Sequence, residues 1–133
     1  MALTNQEFFD KTITHLVKQG CRAWGELGGA PGDGSGCLYR TEEGLSCAAG
    51  VHMPDSEYRR EMEGCNIHSL VVKWPSTAQY FPSVPLTSIL QRLHDDGSNW
   101  SSTDGFVGWA EAERIANTYG LTFDKSTYQK AGE

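Results

Sequence analysis

The chain has 133 residues and 14.6 kDa, 38% of them hydrophobic and 21% charged, which is enough for one self-sufficient core and too little for two ordinary domains. With 11 Lys and Arg against 17 Asp and Glu, a formal charge of −6 and a pI near 5.1, it is a poor match to nucleic acid or anionic lipid. The same acidity suits either a solvated surface tuned for solubility or a basic protein partner, including one whose natural ligand is nucleic acid.

The N-terminal MALTNQEFF has no basic region followed by an apolar run, so no secretory leader is expected. Thr4-Asn5-Gln6-Glu7 reads as a capping box, with Phe9, Ile13, Leu16 and Val17 at helical spacing and Gly20 as the stop. Residues 25–36 are half glycine and predict a flexible loop. A phosphate-binding loop would need Lys and a hydroxyl residue after its last glycine, whereas Cys37 and Leu38 follow here. Residues 37–40 and 45–48 flank Thr41-Glu42-Glu43-Gly44 and predict a small β-hairpin, with Gly44 left-handed. Alternation puts Cys37 and Tyr39 on one face and Leu38 and Arg40 on the other. Ala48, Ala49 and Gly50 then allow close approach by another element.

Asp55 or Ser56 can cap a second helix to Glu63, with Tyr58 and Met62 on one face and Gly64 as its end. Asn66 to Lys73 reads as a short helix stopped by Pro75. Pro85 opens a helix carrying Leu86, Ile89, Leu90 and Leu93. A polar loop runs through Trp100. The last helix covers 106–119 and buries Trp109, Ala112, Ile115 and Ala116; residues 121–123 add a short strand and 125–133 fray. The fold class is α+β: a mainly helical single domain, 1–133, with four to five helices and a small β-hairpin. The longest apolar candidate, Leu70-Val71-Val72, stops at Lys73, far short of the roughly 18 residues of a membrane span. The four cysteines are expected as reduced thiols.

None of the chemical constellations is strong. Cys21, Cys37, Cys47 and Cys65 include no Cys-x-x-Cys pair; Cys65-x-x-His68, with Cys37 and Cys47 across the hairpin, is the nearest approach to a zinc set. Cys47, His52 and Asp55 stand near one another in sequence, as a small hydrolase or transferase would need, but nearness along a bending chain is no triad. His94 at the end of an apolar helix suits a protonated imidazole at the negative end of the dipole. Glu57 and Glu61 read as a solvated helix face. No catalytic residue, metal or cofactor is therefore assigned. The binding candidates are Tyr39, Arg40, Tyr58, Arg59 and Arg60, cations and stacking faces in a chain otherwise poor in cations, together with Trp100.

The run Cys37 to Gly64, with its Cys-x-Tyr-Arg, Cys-Ala-x-Gly and Pro-Asp-x-x-Tyr pattern, resembles a family of short tailed-bacteriophage proteins. Leu90-Gln91-Arg92-Leu93-His94-Asp95 and Tyr119 to Phe123 extend the resemblance over most of the chain after the first helix. Met53 departs from the aliphatic residue usual before the proline, and the glycine loop looks like an extension. The resemblance implies a non-enzymatic accessory protein in the cytoplasm of an infected bacterium, antagonising host defence by binding and blocking a host protein. The alternative is a sponge for a small nucleotide signal, using Arg40, Arg59 and Tyr58 around a pocket in a homo-oligomer. Neither implies direct nucleic-acid binding or a membrane.

Overall fold

The computed structural model describes residues 3–26 and 35–131. Helix α1 (Asn5–Gln19) starts where expected: the Glu7 amide donates to Thr4 Oγ1 at 3.1 Å, and the Thr4 amide donates to the Glu7 carboxylate at 2.9 Å. Phe8, Phe9, Ile13 and Leu16 are fully buried, each worth about 1.5–3 kcal/mol in removed apolar surface. Gly20, at φ 72°, ends the helix in the left-handed region.

Short elements lead from α1 to the rest of the core. Strand β1 (Trp24–Glu26) pairs antiparallel with β2 (Ser35–Cys37). Helix α2 (Ile67–Lys73) is capped by Asn66, whose Oδ1 accepts the Ser69 amide at 2.8 Å. Helix α3 (Val84–Asp95) begins on Ser83 with Pro85 in its first turn and buries Leu86, Leu90 and Leu93 against α1, α2 and α4. A two-residue pair, β3 (Trp100–Ser101) with β4 (Gly105–Phe106), precedes α4 (Trp109–Thr118), which buries Ala112, Ile115 and Ala116. Helix α5 (Lys125–Ala131) packs on α1. The architecture is the expected mainly helical α+β domain, with five α-helices among the described residues. No helix among those residues is long and apolar enough to cross a membrane.

Five local expectations change. The hairpin at 37–48 shrinks to a turn with one bridge, Arg40 to Ser46, although Gly44 is left-handed as expected, at φ 91°. Cys47, Ala48 and Ala49 instead run into the core, and a Cβ on Gly50 would stand 2.0 Å from the Tyr39 carbonyl oxygen, so the chains touch where the small residues allow it. Cys37 pairs with Trp24, so the edges of the expected loop 25–36 are strand; its centre, 27–34, lies outside the described residues. Ser56 to Glu63 is turns with one 3-10 turn at Arg60–Met62, because two apolar residues make too narrow a stripe to hold an α-helix. Phe106 lies in β4, part of a hairpin within the expected polar loop, and the last long helix starts only at Trp109.

The fifth change is at the C-terminus. Residues 121–123 form no strand, because their amides are used singly: Leu121 on Ala116 O and Thr122 on Gln6 Oε1. Residues 125–131 do not fray. Tyr128 is buried between Phe9 and Phe123 and donates its hydroxyl to Asp10 at 2.6 Å, which gives the short helix a tertiary anchor.

Candidate functional site

A cleft of about 590 Å³ opens between the Thr41–Gly44 turn and the Tyr58–Glu63 segment. Its walls follow from one carboxylate. Glu63 Oε1 accepts the Tyr39 amide at 2.8 Å, while Oε2 accepts the Arg40 amide at 3.2 Å and the Tyr58 hydroxyl at 2.6 Å. Glu63 satisfies the amides that a sheet neighbour would otherwise take. It also fixes Tyr58 across from the turn, and burial together with Glu63 pushes the Tyr58 phenol upward.

The sequence-selected residues divide around this cleft. Arg40, Tyr58 and Arg60 line it. Arg40 is already occupied: its guanidinium donates to Asp55 and to the Met53 carbonyl and lies 5.5 Å from the Tyr58 ring centre. Arg60 is exposed and has no ion pair among the described residues. Tyr39 is core, at 4% exposure, with its hydroxyl donated to the Cys65 carbonyl; burial drives its phenol upward. Arg59 folds onto the Ser56 and Tyr58 carbonyls and does not line the cleft. Trp100 stands apart, its indole donating to the His94 carbonyl at 2.8 Å and its ring packed edge-on to Phe106. Tyr39, Arg59 and Trp100 are therefore structural or peripheral to this cavity.

The lining also holds an indole and three carboxylates outside the sequence-selected set: Trp24, Glu42, Glu43 and Glu63. Trp24 is 46% exposed and faces the cleft from β1, with the Arg22 guanidinium 4.3 Å from its ring centre. Its position one residue ahead of the glycine-rich run was the available signal. Glu42 and Glu43 form the rim, both exposed at the turn. The role of Glu63 had no local signal, since its three partners are 5 to 24 positions away.

The catalytic constellation does not assemble. Burial pushes the Cys47 thiol up to about 12, and its sulfur accepts the Gly50 amide at 3.2 Å. Asp55 is on the surface with Arg40. His52 lies stacked on Phe8 with ring centres 3.9 Å apart, and burial lowers its imidazole to about 3. Thr12 donates its one hydroxyl proton to the Phe8 carbonyl at 2.7 Å, so the 2.8 Å contact with His52 is Nε2–H donating to Thr12 Oγ1. His52 Nδ1 is then a bare acceptor, buried and unpartnered.

The residues that came nearest to a zinc set in the sequence do not form one among the described residues. Cys65 has Lys73 Nζ at 4.0 Å as its polar contact, and His68 is exposed. The grouping with metal-ligand spacing among the described residues is Cys37, His94 and Asp95, whose ligand atoms lie within 4.8 Å of one another. His94 Nε2 accepts the Ala23 amide at 3.0 Å, which puts the ring proton on Nδ1, donated to Asp95 at 2.8 Å. A metal on Nδ1 would push that proton to Nε2, against the Ala23 N–H, so the cluster fits a hydrogen-bonded brace and not a metal. The same tautomer corrects the expected imidazolium at the helix end: His94 serves as an acceptor for the Ala23 amide, just ahead of β1. Burial and Asp95 drive the Cys37 thiol upward, which makes it a donor and a poor nucleophile.

No protein-family model matches the chain, and neither does any curated protein or any solved structure.

Proposed function

We propose that this chain is a non-catalytic accessory protein of a tailed bacteriophage that binds and blocks a host defence protein in the bacterial cytoplasm, with the Trp24–Tyr58 cleft as its contact face. The observation that carries the reading is the pairing of an exposed indole with a cavity of about 590 Å³ whose wall is held by the Glu63 bonds. Exposed aromatics beside a rigid concavity are the usual anchors of protein interfaces. Supporting it, the thiol and imidazole that chemistry would need are buried and bonded to core partners.

The nucleotide sponge draws less support. Of its three residues, Arg40 is occupied by Asp55 and the Met53 carbonyl, and Arg59 does not line the cavity. The test is affinity capture of a host protein by tagged wild-type chain and by Trp24→Ala, followed by binding and inhibition assays on the purified pair. A partner that is inhibited by wild type and released by Trp24→Ala supports the reading. A cyclic nucleotide that raises the melting temperature, with no host protein inhibited, would replace it with the sponge.

A further inference from the structure

We infer that the cleft takes a cationic side chain, an arginine or lysine presented by a basic segment of the protein partner; this rests on the reading of the cleft as the partner-binding face. The charges facing the space are unequal. Among the described residues, three carboxylates, Glu42, Glu43 and Glu63, share it with two guanidiniums, Arg40 and Arg60. Asp55, outside the lining, already balances Arg40. Among the described lining residues, Arg60 alone then faces three carboxylates, which makes this lining negative within a chain whose formal charge is −6.

The three carboxylates have different parts. Glu63 is held on both oxygens by Tyr39, Arg40 and Tyr58, so it contributes field and position. Glu42 and Glu43 are exposed and make no ion pair among the described residues, which leaves their oxygens to accept from a guanidinium or an ammonium. Trp24 supplies a face. Its ring already holds one guanidinium, that of Arg22 at 4.3 Å, and Arg22 is outside the cleft lining. A partner cation at the cleft would repeat a contact this indole makes within the chain. The volume exceeds that of one side chain, so residues flanking the cation also enter and bury Leu38 and the Tyr58 ring. A phosphate-bearing ligand would meet charge of its own sign.

The test uses the full chain, labelled with nitrogen-15 and titrated with three probes: acetyl-Gly-Arg-Gly-Arg-Gly-amide, its Glu counterpart and a cyclic dinucleotide. The arginine peptide is expected to shift the Trp24 indole N–H and the Thr41–Gly44 amides. Glu42→Gln with Glu43→Gln should weaken it by about twofold to thirtyfold, since exposed ion pairs each contribute about 0.2–1 kcal/mol. Added salt should weaken it further. An equal response to the glutamate peptide, or a stronger one to the dinucleotide, overturns the inference. Host-partner capture separates the two levels. Loss in Trp24→Ala with full retention in the double Gln variant sinks the cation and leaves the cleft reading standing; retention in both variants sinks the cleft reading itself.

Discussion

The helical frame and the segment from Ser35 to Asn66 are held together by different means. In α1, α3 and α4 the apolar residues recur along one face and each helix buries its own stripe. Between Ser35 and Asn66 there is little regular structure, and order comes from side chains bonding distant backbone: Glu63 on two amides, Arg40 on the Met53 carbonyl, Tyr39 on the Cys65 carbonyl. Both halves are ordered, but only the first is ordered by periodicity. The cleft lies in the second, where removing one polar atom can reshape a wall without melting the domain.

The comparison makes its largest claim for the frame. Leu90→Ala removes a fully buried side chain from the centre of α3 and should cost about 2–5 kcal/mol of global stability, read as a lower urea midpoint at unchanged slope. A cost below about 1 kcal/mol would mean that the helical stripes are not what holds the frame.

Acid should attack the frame through His52. Its folded pKa, about 3, lies below the ordinary 6.5, so the unfolded chain binds the extra proton first. Stability from this group is complete above pH about 6.5 and is lost as pH falls towards 3, at up to about 1.4 kcal/mol per pH unit. His15, lowered chiefly by burial, acts in the same direction. Unfolding measured from pH 7 to pH 4 should steepen accordingly, and His52→Gln should flatten the acid limb; an unchanged limb in that variant would remove His52 as the cause.

Glu63→Gln sharpens the contrast from the other side. The change keeps the shape and weakens up to three hydrogen bonds, at about 1–3 kcal/mol. Hydrogen exchange should quicken at Tyr39 and Arg40 while α1 and α3 keep their protection. Uniform loss of protection would show that the two regions unfold as one unit. The smallest effect is expected for Asp55→Asn, whose side chain is 95% exposed: a stability change within about 1 kcal/mol by thermal melt, since its pair with Arg40 is held at the surface.

Legibility in the sequence followed the same division. The capping box at Thr4, the Asn66 cap and the Leu86–Leu93 stripe are local patterns and were readable as such. Tyr39 was selected as a binding residue because tyrosine has both a stacking face and a polar tip; nothing nearby tells that its hydroxyl would reach Cys65 in the core. Trp100 stands away from the cleft for the same reason, its partner being the His94 carbonyl across a turn. Trp24 escaped notice because its exposure depends on β1 pairing with Cys37 beyond the glycine-rich run. The sequence of the tail predicts fraying because its one aromatic, Tyr128, has no large apolar neighbour at helical spacing; its packing partners are Phe9 and Phe123.

What the sequence by itself determined is the helical frame, its caps and stops, and the acidic character of the surface, because these depend on residues within a turn or two of one another or on composition alone. The cleft, the roles of Glu63 and Trp24, and the retirement of Cys47, His52 and His94 into the core were decided only by tertiary structure. Each of those depends on a hydrogen bond or a burial between segments far apart in the chain, and no local pattern encodes a partner that packing brings in from elsewhere.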